Sequence, residues 1–590
     1  MTPGELLARA VAAAEAAGEQ IRAEFYRAGG PRGSRAKAPI DEVVETQLRE
    51  ALQAALACDF VGEESGLARG SVPGYRWIVD PHDGTSDFLK GHRGSAVSIG
   101  LLRDGVPVLG VVHAPLSPDR GRETFAWAEG AGPLRRNGVP VPTVLSARRL
   151  CAGEIVWCTE AAELRAEAFA RAVAPARFVA MTSIAHRLAR VAAGDGVAAV
   201  SAHGVHEHDI AAGAALLRAV GGVVRDGDGR EFCFSGGERA TLSGCVAGAP
   251  EAVRALGAVG WQELNETPKS APRVPVGFPR VADEALLARA QGCLLGQLIA
   301  GSLAAGARVR DAASLAGAQV PCDRGAAEGA NAETLAGQPS PDSELALALA
   351  RSIVRAGRYD AAHALEAYRR WIASLACADR RSRAETLAGD AEAKGLLVRV
   401  APIGIWAAGD PARAALAARA DARLSRADTR LRAACASYAA AIAAGVASGD
   451  RDATIRAALE RGEDATREAI EKATRREPPS DAGACADGVE AALQNAFYQL
   501  VHAANFEVAV AATLARGGDA TVNAAIAGAL VGACAGRQAL PAPWLLAVLS
   551  CRPCEAAGAK RPRPSEYWPD DLLQLAEALL LARGSAGGSS

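Results

Sequence analysis

"WIVDPHDGTSDF", residues 77–88, runs an apolar stretch into two carboxylates, Asp80 and Asp83, three residues apart across a proline. A short apolar run rich in β-branched and aromatic residues and ending in such a turn predicts a strand. Both carboxylates then converge on one point beyond its end. That suits a hard cation, because magnesium takes oxygen ligands in near-octahedral geometry and keeps waters that a substrate phosphate can replace. If "SDFLKG" opens a helix, the amides of Gly84 and Thr85 point at that phosphate.

Two further acidic blocks flank this one. "VGEESG" carries Glu63 and Glu64, and "HEHDIAAGAALLRAVGGVV" carries Asp209. Taken singly, each has an ordinary reading. Asp209 precedes "IAAGAALLRAV" as a helix N-cap would, and Glu63 reads as a solvated loop charge. Taken together, in this order, they read as an oxygen-ligand set for two metal ions that activate water and stabilise the leaving oxygen of an in-line phosphoryl displacement.

The blocks "GEES", "WIVDPHDGTSDF" and "HDIAAG" resemble the inositol monophosphatase superfamily of magnesium-dependent phosphatases over about residues 5–260. The resemblance implies a layered αβαβα fold. It also implies that Glu63 and Asp80, with the backbone carbonyl of His82, hold one metal, and that Asp80, Asp83 and Asp209 hold a second. The His82 side chain has no implied role. "IDEVVETQL" supplies Asp41, which with Thr85 is the implied pair that orients the attacking water, although "KAPID" stands where the family has a threonine before that aspartate. His208 stands at a position commonly tryptophan, which is expected to alter the wall on the substrate side.

Outside these blocks, "YRWIVD", "SAVSIGLL", "VPVLGVVHAP" and "GGVVRD" alternate with helical stretches between residues 75 and 250, as in a mixed α and β domain. "LNETPKSAPRVPVGFPR", residues 264–280, is proline-rich and aperiodic and reads as an extended linker. Beyond it, apolar residues recur at three- and four-residue spacing, which predicts an all-α second half. The expected organisation is a phosphatase domain over 1–262, a linker over 263–281, a helical domain over 282–582 and a disordered tail over 583–590.

In the helical half, "ARAQGCLLGQLIAGSLAA", "AGQPSPDSELALALARSIV", "GLLVRVAPIGIWAAGDPARAA" and "FEVAVAATLARGGDATVNAAIAGALVGA" follow one another in an order that resembles the ADP-ribosylglycohydrolase family over about residues 283–555. That family is all-α and uses two magnesium ions. Its metal blocks are altered here. "SPDSE" keeps Asp342 and offers Ser340 for a threonine, but Pro341 replaces a carboxylate. "GGDATVNAA" keeps Asp519, while Thr521 and Val522 replace an aspartate and a threonine. Gly301 and Lys394 replace an aspartate and an asparagine. Ser340, Asp342, Asp519 and Thr521 thus leave room for one ion or none. Ser340 followed by Pro341 also suits an N-cap and first helical residue.

Hydrophobic residues make up 50% of the 590-residue chain and aromatics 4%, the net charge is -2, and thirteen cysteines show no disulfide spacing. This excludes a generally basic nucleic-acid or membrane-surface binder and fits a reduced, cytoplasmic protein. "CRPC" at 551–554 lacks the second pair that a zinc or redox site needs. No apolar run approaches the roughly 20 residues of a membrane helix without interruption.

The leading expectation is a magnesium-dependent phosphomonoesterase for a small phosphorylated nucleotide or sugar. An adenosine 3',5'-bisphosphate-like substrate is favoured by "FLKGHRGSAVSIGLL". The second domain would bind an ADP-ribose-type ligand or serve as a scaffold, and an oligomer is compatible with the sequence. The rivals are a bifunctional phosphatase and ADP-ribosylglycohydrolase, and a non-enzymatic binding protein.

Overall fold

The computed structural model describes residues 1–234, 243–306, 334–375, 394–479 and 488–583. The Gly/Ser tail expected to be disordered lies, apart from Arg583, outside the described residues. The chain forms two compact units, Met1–Pro272 with Val276–Arg280, and Arg273–Pro275 with Val281–Ser590. The proline-rich stretch is thus divided between them, after a short helix at Trp261–Leu264.

The first unit is built on two sheets. The larger has strand order β2-β1-β3-β4-β5-β6-β7-β8, with β1 Cys58–Gly62, β2 Gly66–Ala68, β3 Val72–Asp83, β4 Ala96–Arg103, β5 Val106–Ser117, β6 Gly121–Ala128, β7 Arg135–Arg136 and β8 Val139–Pro140. Here β1 runs parallel to β3 and the other pairs are antiparallel. The smaller has order β10-β9-β11-β13-β12, with β9 Ile155–Cys158, β10 Arg177–Ala180, β11 Ala198–Ser201, β12 Val223–Asp226 and β13 Cys245–Gly248.

Alternation along the strands decides which helices cover which face. Trp77, Val79, Ile99 and Leu101 join one core with Ala14, Ile21 and Phe25 of α1 (Pro3–Phe25) and Val44 and Leu48 of α2 (Pro39–Ala55). Ile78 and Leu102 point the other way, onto Ala211. Ala211 belongs to the helix Glu207–Ala219, which packs between the sheets together with Ile184–Ala192. Helices Ala166–Val173 and Pro250–Leu256 pack on the second sheet, completing an αβαβα arrangement.

The approach of Glu207–Ala219 to the first sheet is unusually close. A Cβ on Gly100 would lie 2.8 Å from that of Ala211, and one on Gly110 would lie 2.9 Å from that of Ala215. These two glycines let the helix sink onto β4 and β5, and so fix where its first turn lies.

Among its described residues the second unit is helical and contains no strand. At its centre Glu284–Gly306 crosses Ala520–Ala535, and a Cβ on Gly292, Gly296, Gly528 or Gly532 would run into the backbone of the opposite helix. Small residues at four-residue spacing thus allow backbone-to-backbone contact, which explains a core made with so few aromatics. Two helices reach the length and mean hydropathy of a membrane span, although charge and glycine interrupt both, in line with the expectation of no uninterrupted apolar run. Glu284–Ala304 and Thr429–Ser448 pass by length and composition, but 78% and 72% of these windows are buried inside the fold. Their apolarity is that of core helices packed on all sides.

Candidate active site

The strand β3 does not stop at Asp80. It continues through Pro81 to Asp83, so the expected turn after the strand is instead a bulge. Asp80 pairs with Ser98, Asp83 pairs with Ala96, and the register shifts between them. In a regular strand residues three apart face opposite sides. One extra residue in the bulge brings Asp80 and Asp83 to the same side, and Pro81, with no N–H to give a ladder, is tolerated there.

Each remaining carboxylate arrives by its own device. Glu63 follows β1, with its N–H bonded to Val79 O on β3. The loop after it is held by Glu45 of α2, whose carboxylate accepts the N–H groups of Glu64 at 2.8 Å and Ser65 at 2.7 Å. Gly62 has no side chain because a Cβ there would collide with that carboxyl group. Asp209 is the third residue of Glu207–Ala219 rather than its N-cap, which is His206. One Asp209 oxygen accepts the His206 N–H, so the residue steadies the helix start from inside it.

These side chains meet in two groups that share Asp80. Ligand atoms of Asp80, Asp83 and Asp209 lie within 4.8 Å of one another, and those of Glu63, Asp80 and His208 do the same. Burial, reinforced by neighbouring carboxylates, pushes Glu63 up to about 8 and Asp83 up to about 7. It raises Asp209, and raises Asp80 well above the carboxylate range. So much buried like charge is expensive without a counter-charge. The donor set is the oxygen-rich one that magnesium prefers, and the residues therefore fit divalent cations. Asp83 is aimed by the opening of Ile184–Ala192, where Ser183 Oγ donates to it at 2.6 Å and the Ala185 N–H at 2.7 Å.

Beside the carboxylates, Asp41 sits buried in the first turn of α2, one helical turn before Glu45 and on the same face. Its Oδ2 accepts from Thr85 Oγ1 at 3.1 Å, and its Oδ1 lies 2.8 Å from Nδ1 of His82. Nε2 of His82 is 3.0 Å from Ser95 Oγ, so both ring nitrogens are engaged away from the carboxylate cluster. The His82 carbonyl accepts from Thr85 Oγ1 at 2.8 Å. Gly84, at φ +98°, caps a single helical turn, Thr85–Phe88.

Four roles go beyond those that the sequence suggested. Glu45, which ends the D-x-x-V-E spacing that begins at Asp41, anchors the loop after Glu63, and Ser183 orients Asp83. The His82 imidazole binds Asp41. His208, expected to alter the wall on the substrate side, places a ring nitrogen within 4.8 Å of ligand oxygens of Glu63 and Asp80.

In the second unit, Ser340 caps Pro341–Ala356 by accepting from the Ser343 N–H at 3.3 Å, with Pro341 as first helical residue. Asp519 caps Ala520–Ala535 by accepting from the Val522 N–H at 3.3 Å. A Cβ on Gly301 would lie 3.7 Å from Ser343 Oγ and 3.8 Å from Thr521 O, so these blocks do converge. Glu344 of "SPDSE" is taken up by Arg563 and the Trp371 indole N–H. Among the described residues, no group of three His, Cys, Asp or Glu ligand atoms forms in this unit. Cys551 and Cys554 are buried and free of disulfides.

Residues 3–258 match the model of the inositol monophosphatase family, and residues 282–588 match that of ADP-ribosylglycohydrolase. Among curated proteins, the chain is 32% identical over 244 residues to a probable inositol 1-monophosphatase ImpA of Mycobacterium tuberculosis, spanning 38% of this chain and 83% of that protein. It is 34% identical over 199 residues to the inositol-1-monophosphatase ImpA of Mycolicibacterium smegmatis, spanning 32% and 68%. A histidinol-phosphatase of Mycobacterium tuberculosis is 42% identical over 113 residues, 18% of this chain and 43% of that protein. Sequence blocks, layered fold and family matches agree that the chain joins a member of the inositol monophosphatase family, a magnesium-dependent phosphoric monoester hydrolase domain, to a member of the ADP-ribosylglycohydrolase family.

Proposed function

We propose that the first unit hydrolyses a small phosphorylated nucleotide, polyol or sugar at the Asp80-centred cluster, and that the second unit binds an ADP-ribose-type ligand or acts as a scaffold without hydrolysing it. The observation that carries the first part is the convergence of Glu63, Asp83 and Asp209 on the buried Asp80, with the Asp41–Thr85 hydrogen bond nearby.

Bound divalent ions supply an activated water and neutralise charge on the leaving oxygen. The chain supplies the rest. Glu63 and Asp80 would hold one ion, with the His82 carbonyl as the further ligand that the family resemblance implies, and Asp80, Asp83 and Asp209 would hold the other. Thr85, whose single hydroxyl proton is shared between Asp41 and the His82 carbonyl, offers a lone pair that orients the water, with Asp41 as the acceptor of the proton it gives up. The amides of Gly84 and Thr85 receive the phosphate.

An adenosine 3',5'-bisphosphate-like substrate is favoured by the "FLKGHRGSAVSIGLL" segment, while the relatives suggest inositol 1-phosphate and histidinol phosphate as further candidates. The test measures phosphate release with magnesium from all three, with Asp83→Asn run beside the wild type. No release from any, or equal release by the variant, overturns the reading. The binding role of the second unit is supported by Ser340 and Asp519 serving as helix caps. Magnesium-dependent ADP-ribose release by the full chain would instead establish a bifunctional enzyme.

A further inference from the structure

His208 occupies a position with chemistry that the acidic blocks do not supply. Its backbone carbonyl accepts from Ser98 Oγ on β4 at 3.0 Å, and its helix is seated on Gly100 and Gly110. The residue is therefore held by the sheet below it. Its ring stacks on that of His206 at 5.1 Å and 18°. Its Nε2 is 3.5 Å from Asp209 Oδ1, long for a hydrogen bond. From there one ring nitrogen joins carboxylate oxygens of Glu63 and Asp80 in a group no wider than 4.8 Å.

An imidazole nitrogen is a poor partner for magnesium and a good one for first-row transition metals, whose affinities rise from Mn²⁺ toward Zn²⁺ and Cu²⁺. We propose that His208 converts the Glu63–Asp80 position into a mixed nitrogen and oxygen site. That site takes a transition-metal dication such as Mn²⁺ or Zn²⁺ in preference to Mg²⁺. The neighbouring Asp80–Asp83–Asp209 position keeps an all-carboxylate set and its preference for a hard ion. This rests on the proposed metal-binding role of the cluster and adds to it a difference between the two positions.

The experiment loads the metal-stripped full chain with one equivalent of Mn²⁺ and records electron spin-echo modulation. Titration calorimetry with Mn²⁺, Zn²⁺ and Mg²⁺ accompanies it. Wild type and a His206→Gln control are expected to show ¹⁴N modulation from a bound imidazole. His208→Gln and His208→Trp are expected to lose it, with Mn²⁺ and Zn²⁺ affinity falling about tenfold or more and Mg²⁺ affinity changing far less. Bound Mn²⁺ without nitrogen modulation in the wild type, or modulation that persists in both His208 variants, overturns the inference and leaves the phosphatase reading standing. Failure of the wild type to bind any divalent ion overturns both.

Discussion

Nδ1 of His82 lies 2.8 Å from Oδ1 of Asp41, with both side chains buried. With the proton on Nδ1 the ring donates to Asp41, while Nε2 meets the Ser95 hydroxyl at 3.0 Å. Asp41 is thereby clamped between His82 on one oxygen and Thr85 on the other. Hydrogen bonds to charged groups are worth about 1.5–3 kcal/mol. His82→Leu is therefore expected to lower kcat by roughly 10- to 100-fold with little change in KM, and Asp41→Asn by about 100-fold or more. Steady-state kinetics check both, and a His82→Leu enzyme with wild-type kcat would show that Asp41 needs no clamp.

Glu45 touches no expected ligand yet decides where Glu63 stands, because it holds the loop at Glu64 and Ser65. Glu45→Gln should keep the fold and weaken divalent-ion affinity by about 10- to 100-fold, as loss of supporting hydrogen bonds around metal ligands typically does. Calorimetry with Mg²⁺ and Mn²⁺ measures this. Unchanged affinity would mean that the loop is rigid without its anchor.

These two residues also mark how far the sequence could be read. Asp80, Asp83, Glu63 and Asp209 stand at strand ends or helix starts, where spacing alone suggests convergence. What spacing could not give was direction. That Asp80 and Asp83 face one side depends on a bulge whose extra residue is visible only against the register of β4. His208 and His82 each sit beside a recognised aspartate, and their ring directions follow from the depth at which a helix rests on Gly100 and Gly110 and from the packing of α2 against β3. Ser340 was legible as a cap because capping is local.

Removal of metal should make the first unit sensitive to alkali. Glu63 is raised from an ordinary value near 4.5 to about 8, and Asp83 from near 3.8 to about 7, chiefly by burial. Across that window the metal-free folded state binds more protons than the unfolded chain, so stability is greatest on the acid side and falls as pH rises. In chelator, the melting temperature of this unit should drop by a few degrees or more between about pH 5 and pH 8. Mg²⁺ should restore more stability at the higher pH, since the ion replaces protons. Calorimetry that finds the chelated protein more stable at pH 8 than at pH 5 would contradict this charge balance.

The glycine crossing of the second unit tolerates no side chain. Gly528→Val places new atoms against the backbone at Gly296 and is expected to cost about 1–3 kcal/mol or more. Denaturant unfolding of the full chain should show an earlier transition for the helical unit. A neutral substitution would mean that the helices can separate at little cost.

Asp519 separates the cap from the ligand. The side chain accepts from the Val522 N–H at 3.3 Å, as an N-cap does. Asparagine retains a capping oxygen but loses the charge that a magnesium ligand needs, whereas alanine loses both. Asp519→Ala should therefore destabilise the second unit by about 1 kcal/mol, Asp519→Asn should be close to wild type, and neither should change phosphatase kinetics. Melting curves recorded with and without Mg²⁺ distinguish the roles. If Asp519→Asn abolishes a Mg²⁺-dependent stabilisation of the helical unit that the wild type shows, the aspartate still holds an ion and the scaffold reading fails. If the two curves coincide, the cap is what the old metal motif has kept.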